Sequence, residues 1–346
     1  MDKIIDLRSD TVTIPPKLML ESILEAQLGD DIMGEDTTVN ELESKAAELL
    51  GMEDALLLTS GTMANQVALM TFCSRGEEVI MGKESHIYNL EGAATSAVAQ
   101  VQIRTVSAEN GVYDIDEIKN SINTGDIQKA KTSLISLENT YNLNAGQIIP
   151  MDNLKEIRSL ANEYDIPVYL DGARVFNASV ELGISPAEIC KEVDAVQFCL
   201  TKGLAAPIGS ILAGSKDFIA KARFNKQRLG GGMRQAGIIA APAIYALNNM
   251  IDRLKDDNDR ADWLAQQIAQ IPYFQVDSGG MRTNIVSPSI NHENANAEHL
   301  INFLLDKGIK VKNIGVKQVR MIVHYQIGQK ELDAVVNALE SYSKSL

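Results

Sequence analysis

The sequence has few cysteines and no long apolar segment, which argues against a disulfide-stabilised protein and against a membrane-spanning one. Cys73, Cys190 and Cys199 lie in or beside apolar stretches without metal-type spacing, which favours reduced core residues over disulfides or a metal site. The N-terminus lacks the apolar core of a signal peptide. The longest nearly apolar stretch, 236–247, is too short to span a bilayer and contains Pro242. We therefore expect a cytoplasmic protein without a membrane partner.

Positive charge is also scarce. The 346 residues include 46 acidic and 32 basic side chains, and the formal net charge of −14 disfavours nucleic acid as a partner. A chain of this length exceeds the usual size of one hydrophobic core. We expect an N-terminal arm and a large domain over residues 1–250, followed by a small α+β C-terminal domain over 251–346.

Strand-like and helix-like patterns alternate through the middle of the chain. The strand patterns lie at 55–59, 77–81, 101–106, 133–137, 168–170 and 195–200, with helical patterns between several of them. This alternation is typical of crossover connections, so it predicts an α/β fold with a mainly parallel central sheet. Functional groups in such folds lie at the carboxyl ends of the strands.

Local signals outside this region give three further expectations. The acidic turn at 29–36 is expected to leave most of its carboxylates in solvent. A capping box at 38–41 is expected to begin a helix that Gly51 ends. A helical pattern at 238–254 predicts one long helix.

Lys202 and Asp171 each follow an apolar strand pattern. A lone lysine after a strand is usually a surface residue, but an aspartate on a second strand end changes the interpretation. Pyridoxal 5'-phosphate needs a lysine that forms an imine with its carbonyl and a carboxylate that keeps its ring nitrogen protonated. The pair therefore predicts this cofactor, with Lys202 and Asp171 as catalytic residues.

Gly61 and Thr62 lie where a strand pattern turns into a helical pattern, directly after Ser60. A helix N-terminus offers free backbone N–H groups and a positive dipole end to a phosphate. An ordinary N-cap would give the same pattern, so the phosphate site depends on Lys202 and Asp171 for support.

His86 and Ser9 are two further candidates for the site. His86 follows a strand pattern, and its imidazole could stack on the cofactor ring and accept the proton of a substrate hydroxyl. A loop histidine more often makes local hydrogen bonds. Ser9 lies in a polar arm, where it either contacts the ligand or covers a neighbouring surface.

Three arginines are anion-binding candidates in this acidic chain. Arg174 lies three residues past Asp171 and suits a carboxylate or the cofactor's ring oxygen, with a surface salt bridge as the alternative. Arg234 follows the glycines at 230–232 and suits phosphate, although the glycines also suit a hinge. Arg320 lies in a strand pattern and suits a bidentate contact with a substrate α-carboxylate.

Together these residues resemble the L-threonine aldolase family of pyridoxal-phosphate enzymes, within fold type I and close to the β-eliminating lyases. The motifs that carry the resemblance cover nearly the whole chain and lie at 6–13, 60–65, 85–86, 138–140, 171–174, 201–204 and 230–235. The resemblance implies a transferase-like fold type I architecture and a homo-oligomer, with a dimer of dimers expected.

The resemblance also implies residue roles. Lys202 is the imine lysine, Asp171 the partner of the ring nitrogen and His86 the stacking histidine. Gly61 and Thr62 contact the phosphate, and Arg234 reaches the phosphate of a neighbouring subunit. Ser9, Arg174 and Arg320 contact the substrate carboxylate.

The chain departs from some relatives at two positions: Gln128 lies near the place of a second histidine, and Gln227 near that of a lysine. The reaction implied is cleavage of L-threonine or L-allo-threonine, which are small amino-acid substrates, to glycine and acetaldehyde. A β-eliminating lyase acting on a cysteine- or tryptophan-like substrate is the alternative. A cofactor-free binding protein on the same fold is a further one.

Overall fold

The computed structural model describes residues 4–143, 145–276 and 279–346. Its strands are β1 Ile5–Asp6, β2 Asp54–Leu58, β3 Glu78–Gly82, β4 Gln102–Val106, β5 Ala108–Glu109, β6 Val112–Tyr113, β7 Thr132–Glu138, β8 Val168–Asp171, β9 Ala195–Cys199, β10 Ser210–Gly214, β11 Phe274–Gln275, β12 Ile285–Val286, β13 Ser289–Ile290, β14 Ile309–Lys310, β15 Lys312–Gly315 and β16 Gln318–Ile322.

The α-helices are α1 Lys17–Glu21, α2 Thr37–Leu50, α3 Gly61–Phe72, α4 His86–Asn89, α5 Ile115–Ser121, α6 Met151–Glu163, α7 Val175–Leu182, α8 Pro186–Cys190, α9 Lys216–Arg228, α10 Gly237–Asn249, α11 Leu254–Ile268, α12 Ala297–Asp306 and α13 Gln329–Lys344. Short 3₁₀ turns cover Asp10–Val12, Ser22–Glu25 and Asp31–Met33, and a π-helical turn covers Thr95–Ala99.

The central sheet has seven strands in the order β2-β10-β9-β8-β7-β3-β4. Strand β10 is antiparallel to both neighbours, and every other pairing in this sheet is parallel. The predicted α/β fold with a mainly parallel sheet is therefore confirmed. Because β2, β3, β7, β8 and β9 run in one direction, their carboxyl ends meet at one edge of the sheet.

Both faces of this sheet are covered with apolar residues, as a sheet with crossover helices requires. Successive side chains of β2 point to opposite faces, so Leu57 packs in one cluster with α2, while Leu56 and Leu58 pack in another with α3. The three cysteines are buried and unpaired, as expected.

The expectations about the acidic turn and the capping box are wrong. Asp36, not Thr38, is the N-cap of α2, since its side chain accepts from the backbone N–H of Val39, and it also accepts from that of Gly237. Asp31 is buried against Lys226 at 2.9 Å. Gly51 does end α2, in the left-handed conformation.

The single helix expected over 238–254 is two helices, because α10 ends at Asn249 and α11 begins at Leu254. The C-terminal region carries a small sheet in the order β11-β13-β16-β12, with β15 also paired to β16. The boundary near residue 250 stays a prediction. In the part of the chain that the structure describes, no helix is both long and apolar enough to cross a membrane.

The N-terminal arm is attached to the C-terminal region. Strand β1 pairs in parallel with β14, and the carbonyl of Leu7 accepts from the N–H of Ile322 at 2.8 Å. Leu7 is itself buried in the apolar cluster of the C-terminal helices. These contacts hold residues 8–10 alongside β16, next to the edge of the central sheet.

Candidate active site

Five chain segments bring polar side chains to the carboxyl edge of the central sheet. Ser60 follows β2, His86 follows β3, Glu138 ends β7, Asp171 ends β8, and Lys202 follows β9. Glu138 and Asp171 are direct neighbours, because their Cα atoms are partners in the β7–β8 pairing.

Asp171 is buried, and donors hold both of its carboxylate oxygens. Asn65 Nδ2 donates to Oδ2 at 3.0 Å, while Gln197 Nε2 and the backbone N–H of Ala173 donate to Oδ1. Donors of this kind stabilise the ionised carboxylate. The Asp171 carboxylate, which the sequence predicts to be the partner of the cofactor's ring nitrogen, is therefore held in one orientation.

Lys202 lies half-buried in the turn after β9, which the bond from Ala205 N–H to the carbonyl of Lys202 closes at 2.9 Å. Burial raises the pKa of the nearby Cys199 thiol, and the positive charge of Lys202 opposes that shift. Lys202 also helps to lower the pKa of Asp10. The amine therefore lies between β9 and the N-terminal arm.

The start of α3 lies directly against β9. A Cβ added to Gly61 would be 2.9 Å from the Cys199 sulfur, so only a glycine fits this approach without a shift. Ser60 caps the helix through its hydroxyl, which accepts from Met63 N–H, and through its carbonyl, which accepts from Ala64 N–H. The N–H groups of Gly61 and Thr62 precede those bonds, so they remain available to an anion.

His86 is held by two buried glutamates. Its backbone N–H donates to Glu138 Oε2 at 2.6 Å, and its ring Nδ1 lies 2.9 Å from Glu91 Oε1. Burial lowers the pKa of His86, but Glu91, Asp171 and Glu138 together raise it above its ordinary value. The ring nitrogen of His86 and the carboxylates of Glu91 and Asp171 lie within 4.8 Å of one another, a spacing that their hydrogen bonds account for.

Arg174 is not in a surface salt bridge, the alternative expected from sequence, but in a buried ion pair with Asp10. Its Nε and Nη2 donate to the two carboxylate oxygens, each at 2.7 Å. Asn284 Nδ2 also donates to Asp10, at 3.4 Å. Burial raises the pKa of Asp10, but Arg174, Lys202 and Asn284 together outweigh this effect and lower it to about 2.

Arg320 is buried and has no carboxylate partner among the described residues. Its Nη1 donates to Asn142 Oδ1 at 2.8 Å and its Nη2 to the carbonyl of Arg8 at 3.5 Å, while its Nε finds no hydrogen-bond partner in the described ranges. Burial and the neighbouring Arg174 lower the pKa of Arg320 to about 10. Such a cation is a strong anion-binding candidate.

Ser9 follows the Arg8 carbonyl that Arg320 contacts, and its hydroxyl accepts from Thr11 N–H at 3.2 Å. Arg234 is different, because it is exposed and paired with Asp30 at 2.8 Å. None of the hydrogen bonds of Arg234 in the described residues reaches the group around Lys202. The structure thus brings the other predicted residues to one edge and leaves Arg234 on an outer surface.

Several polar residues of this edge were not assigned a role from the sequence. Glu91, Asn65 and Gln197 form buried hydrogen bonds around His86 and Asp171, and Asn142 contacts Arg320. One signal was available for Gln197, since a single amide inside the apolar run of β9 needs a buried partner.

The fold has a counterpart among solved structures. The solved threonine aldolase of Leishmania major matches this fold with a TM-score of 0.85 at 19% identity, covering 98% of this chain and 99% of that one. The architecture is therefore that of fold type I pyridoxal-phosphate enzymes.

The model of the beta-eliminating lyase family matches residues 6–291. A low-specificity L-threonine aldolase of Escherichia coli K12 is 40% identical over 335 residues, which are 96% of this chain and 97% of that one. A low-specificity L-threonine aldolase of Arabidopsis thaliana is 35% identical over 341 residues, 97% of this chain and 95% of that one. The chain belongs to the beta-eliminating lyase family, in its L-threonine aldolase group, as the sequence motifs predicted.

Proposed function

We propose that this protein is a pyridoxal-phosphate-dependent aldolase that cleaves L-threonine and L-allo-threonine to glycine and acetaldehyde. The observation that carries the proposal is the buried guanidinium of Arg320, which lacks a carboxylate partner in the described chain and lies next to Arg174. An amino-acid substrate brings the carboxylate that this cation lacks. Relatives named as low-specificity L-threonine aldolases support the choice of substrate.

The residues at the sheet edge fit pyridoxal 5'-phosphate. The close approach of Gly61 to Cys199 suits the phosphate, as do the N–H groups of Gly61 and Thr62, which have no hydrogen-bond partner in the described ranges. Asp171 is oriented to keep the ring nitrogen protonated, and the Lys202 amine would hold the cofactor's carbonyl carbon. When bound, the cofactor supplies the electron sink that accepts the Cα–Cβ bonding pair.

The substrate carboxylate is assigned to Arg320, with Ser9 beside it. Arg174 uses Nε and Nη2 on Asp10, so its remaining terminal nitrogen, Nη1, is the group assigned to the substrate or the cofactor's ring oxygen. Two cations around one carboxylate fix the substrate's orientation at Cα. This arrangement enforces the L configuration.

His86 is the base assigned to the substrate's β-hydroxyl. As the Cα–Cβ bond breaks, the hydroxyl proton passes to the imidazole and the hydroxyl oxygen becomes the carbonyl oxygen of acetaldehyde. A proton returned to Cα completes glycine. Gln128 lies exposed in the turn before β7, at the amino edge of the sheet and away from His86, so it is not assigned to the substrate. Acceptance of both diastereomers is proposed from the relatives named as low-specificity L-threonine aldolases.

We further propose a cytoplasmic homo-oligomer, a dimer at least and a dimer of dimers by resemblance. Large apolar side chains are exposed along the segment 14–33 and on α9, among them Leu24, Met33 and Phe224. A second copy of the chain would cover this surface and receive Arg234 near its own phosphate site.

The test is to reduce the purified protein with borohydride and to identify its products. We expect a yellow protein that loses its visible absorbance, with the pyridoxyl group on Lys202, and glycine plus acetaldehyde from both L-threonine and L-allo-threonine. A folded Lys202→Ala variant should show no turnover. A label on another lysine would refute the assignment of Lys202, and pyruvate plus ammonia from cysteine or tryptophan would favour the eliminating lyase.

A further inference from the structure

Glu91 is a buried carboxylate that the mechanism above leaves without a role. Its side chain is fully buried just after α4. Three side-chain groups surround it: Asn65 Nδ2 at 2.7 Å and the His86 ring Nδ1 at 2.9 Å from Oε1, and Gln66 Nε2 at 3.1 Å from Oε2. Glu91 therefore joins the helix α3 to the ring of the proposed base.

These contacts fix which atom of the His86 ring carries the proton. Both amide groups approach Glu91 with N–H donors, and an ionised carboxylate, which only accepts, is the form that suits them. The imidazole nitrogen facing an ionised carboxylate must then donate. In the neutral ring Nδ1 carries the hydrogen, and Nε2 keeps the lone pair that can accept a proton.

Glu91 differs from the other acidic groups that face His86. Glu138, on β7, accepts from the backbone N–H of His86 and so fixes the main chain. Asp171, on β8, faces the ring without a hydrogen bond to it and is joined to Glu91 through Asn65, which donates to both carboxylates. Glu91 is thus the acid that touches the imidazole itself.

We propose that Glu91 is a positioning residue for the aldol cleavage, holding the His86 imidazole with Nδ1 protonated and Nε2 directed to the substrate hydroxyl. The inference rests on the proposed function for its role in the reaction. As the hydroxyl proton reaches Nε2, the Glu91 carboxylate stabilises the imidazolium that forms. Substrate and cofactor contact His86, and Glu91 acts only through it.

The first test is ¹⁵N NMR of protein with labelled histidine rings, without substrate. The chain has four histidines, and His86→Asn identifies the His86 signals by their loss. We expect neutral His86 to be protonated at Nδ1, and Glu91→Gln to lower its titration midpoint by about one pH unit. Glu84→Gln is the matched control, because Glu84 lies in the same segment but contacts Tyr141 and Lys83 instead.

A midpoint that stays unchanged in Glu91→Gln would overturn the proposal. If Glu91→Gln fails to fold, the parent protein still decides the matter, since a neutral His86 protonated at Nε2 would also overturn it. These spectra involve no turnover. If this protein lacked aldolase activity, the proposed function would be contradicted, but the NMR test of the Glu91–His86 contact would still be valid.

The second test is a double-mutant cycle on kcat for L-threonine. Glu91→Gln alone should slow cleavage, whereas in the His86→Asn background it should change kcat by less than about twofold, because its effect passes through the ring. Glu91→Asp, which keeps the charge, should recover part of the rate. Independent, additive losses from the two substitutions would refute a role through His86.

Discussion

Arg174 and Asp10 form a buried ion pair in which two nitrogens of one side chain meet two oxygens of the other, each at 2.7 Å. Asp10 thereby neutralises Arg174, whereas the neighbouring buried Arg320 has no direct ion pair with a carboxylate among the described residues. Breaking such a pair leaves an uncompensated buried charge. Substitution of Arg174 should therefore lower stability as well as substrate affinity, whereas substitution of Arg320 should act mainly on substrate affinity.

Arg320→Gln should raise the KM for L-threonine by about tenfold or more, since charge-assisted hydrogen bonds contribute about 1.5–3 kcal/mol. Steady-state kinetics measure this change. Lys312→Gln is the matched control, because Lys312 is the direct cross-strand partner of Arg320 but is exposed on β15. Equal effects of the two substitutions would contradict a specific contact between Arg320 and the substrate carboxylate.

Asp171→Asn should retain the cofactor yet lose on the order of a hundredfold or more in kcat, because a neutral amide cannot hold the ring nitrogen protonated. Absorbance of the bound cofactor and the turnover rate measure the two properties separately. Asp165→Asn, an exposed residue just before β8, serves as the control and should behave like the parent. Near-parental turnover in Asp171→Asn would argue against the electron-sink role.

Glu138 should make the cofactor-free protein less stable as the pH rises. Burial and the neighbouring Asp171 raise its pKa from 4.5 to about 7. Between these two values the folded chain binds a proton that the unfolded chain releases, so the free energy of unfolding falls with increasing pH and then levels off.

Urea unfolding of the cofactor-free protein at pH 5 and pH 8 measures the Glu138 contribution. The parent should lose on the order of 2–3 kcal/mol more than Glu138→Gln over this interval. The difference between the two proteins is the decisive quantity, because His86, whose pKa is also raised, changes stability in the same direction. If the free energy of unfolding depended on pH identically in the parent and in Glu138→Gln, the raised pKa of Glu138 would be contradicted.

Mixing subunits tests the position proposed for Arg234. Lys202→Ala and Arg234→Ala should each be inactive or nearly so alone, while oligomers assembled from both should recover part of the parental rate, because one site in the mixture has both residues intact. Mass spectrometry verifies that mixed oligomers have formed. Verified mixtures without recovered activity would mean that Arg234 does not serve a neighbouring site.

The strand ends could be predicted because they depend on local patterns and one topological rule. The apolar runs before Asp171 and Lys202 mark β8 and β9, and parallel strands bring their carboxyl ends together. The start of α3 at Gly61 follows from the adjacent turn residues in the same way. These positions needed no knowledge of distant contacts, although their catalytic roles stay predictions.

The residues that the sequence did not reveal are held by distant partners. Asp10 pairs with Arg174, and Asp31 of the acidic turn pairs with Lys226. The burial of these two aspartates therefore leaves no pattern in the sequence around them. The bridge from Asn65 to Glu91 and Asp171 likewise joins a helix, a loop and a strand end. Side-chain pairing of this kind depends on the folded topology.

The pairing of β1 with β14 also sets when this site can exist during synthesis. Asp10, which pairs with Arg174, lies on an arm whose strand β1 pairs with Ile309, a residue that is synthesised long after Asp171 and Lys202. Contacts this distant in sequence form late in folding. A growing chain thus carries Lys202 and Asp171 well before it can bind its substrate, and ribosome-bound chains that end before β14 should have no aldolase activity.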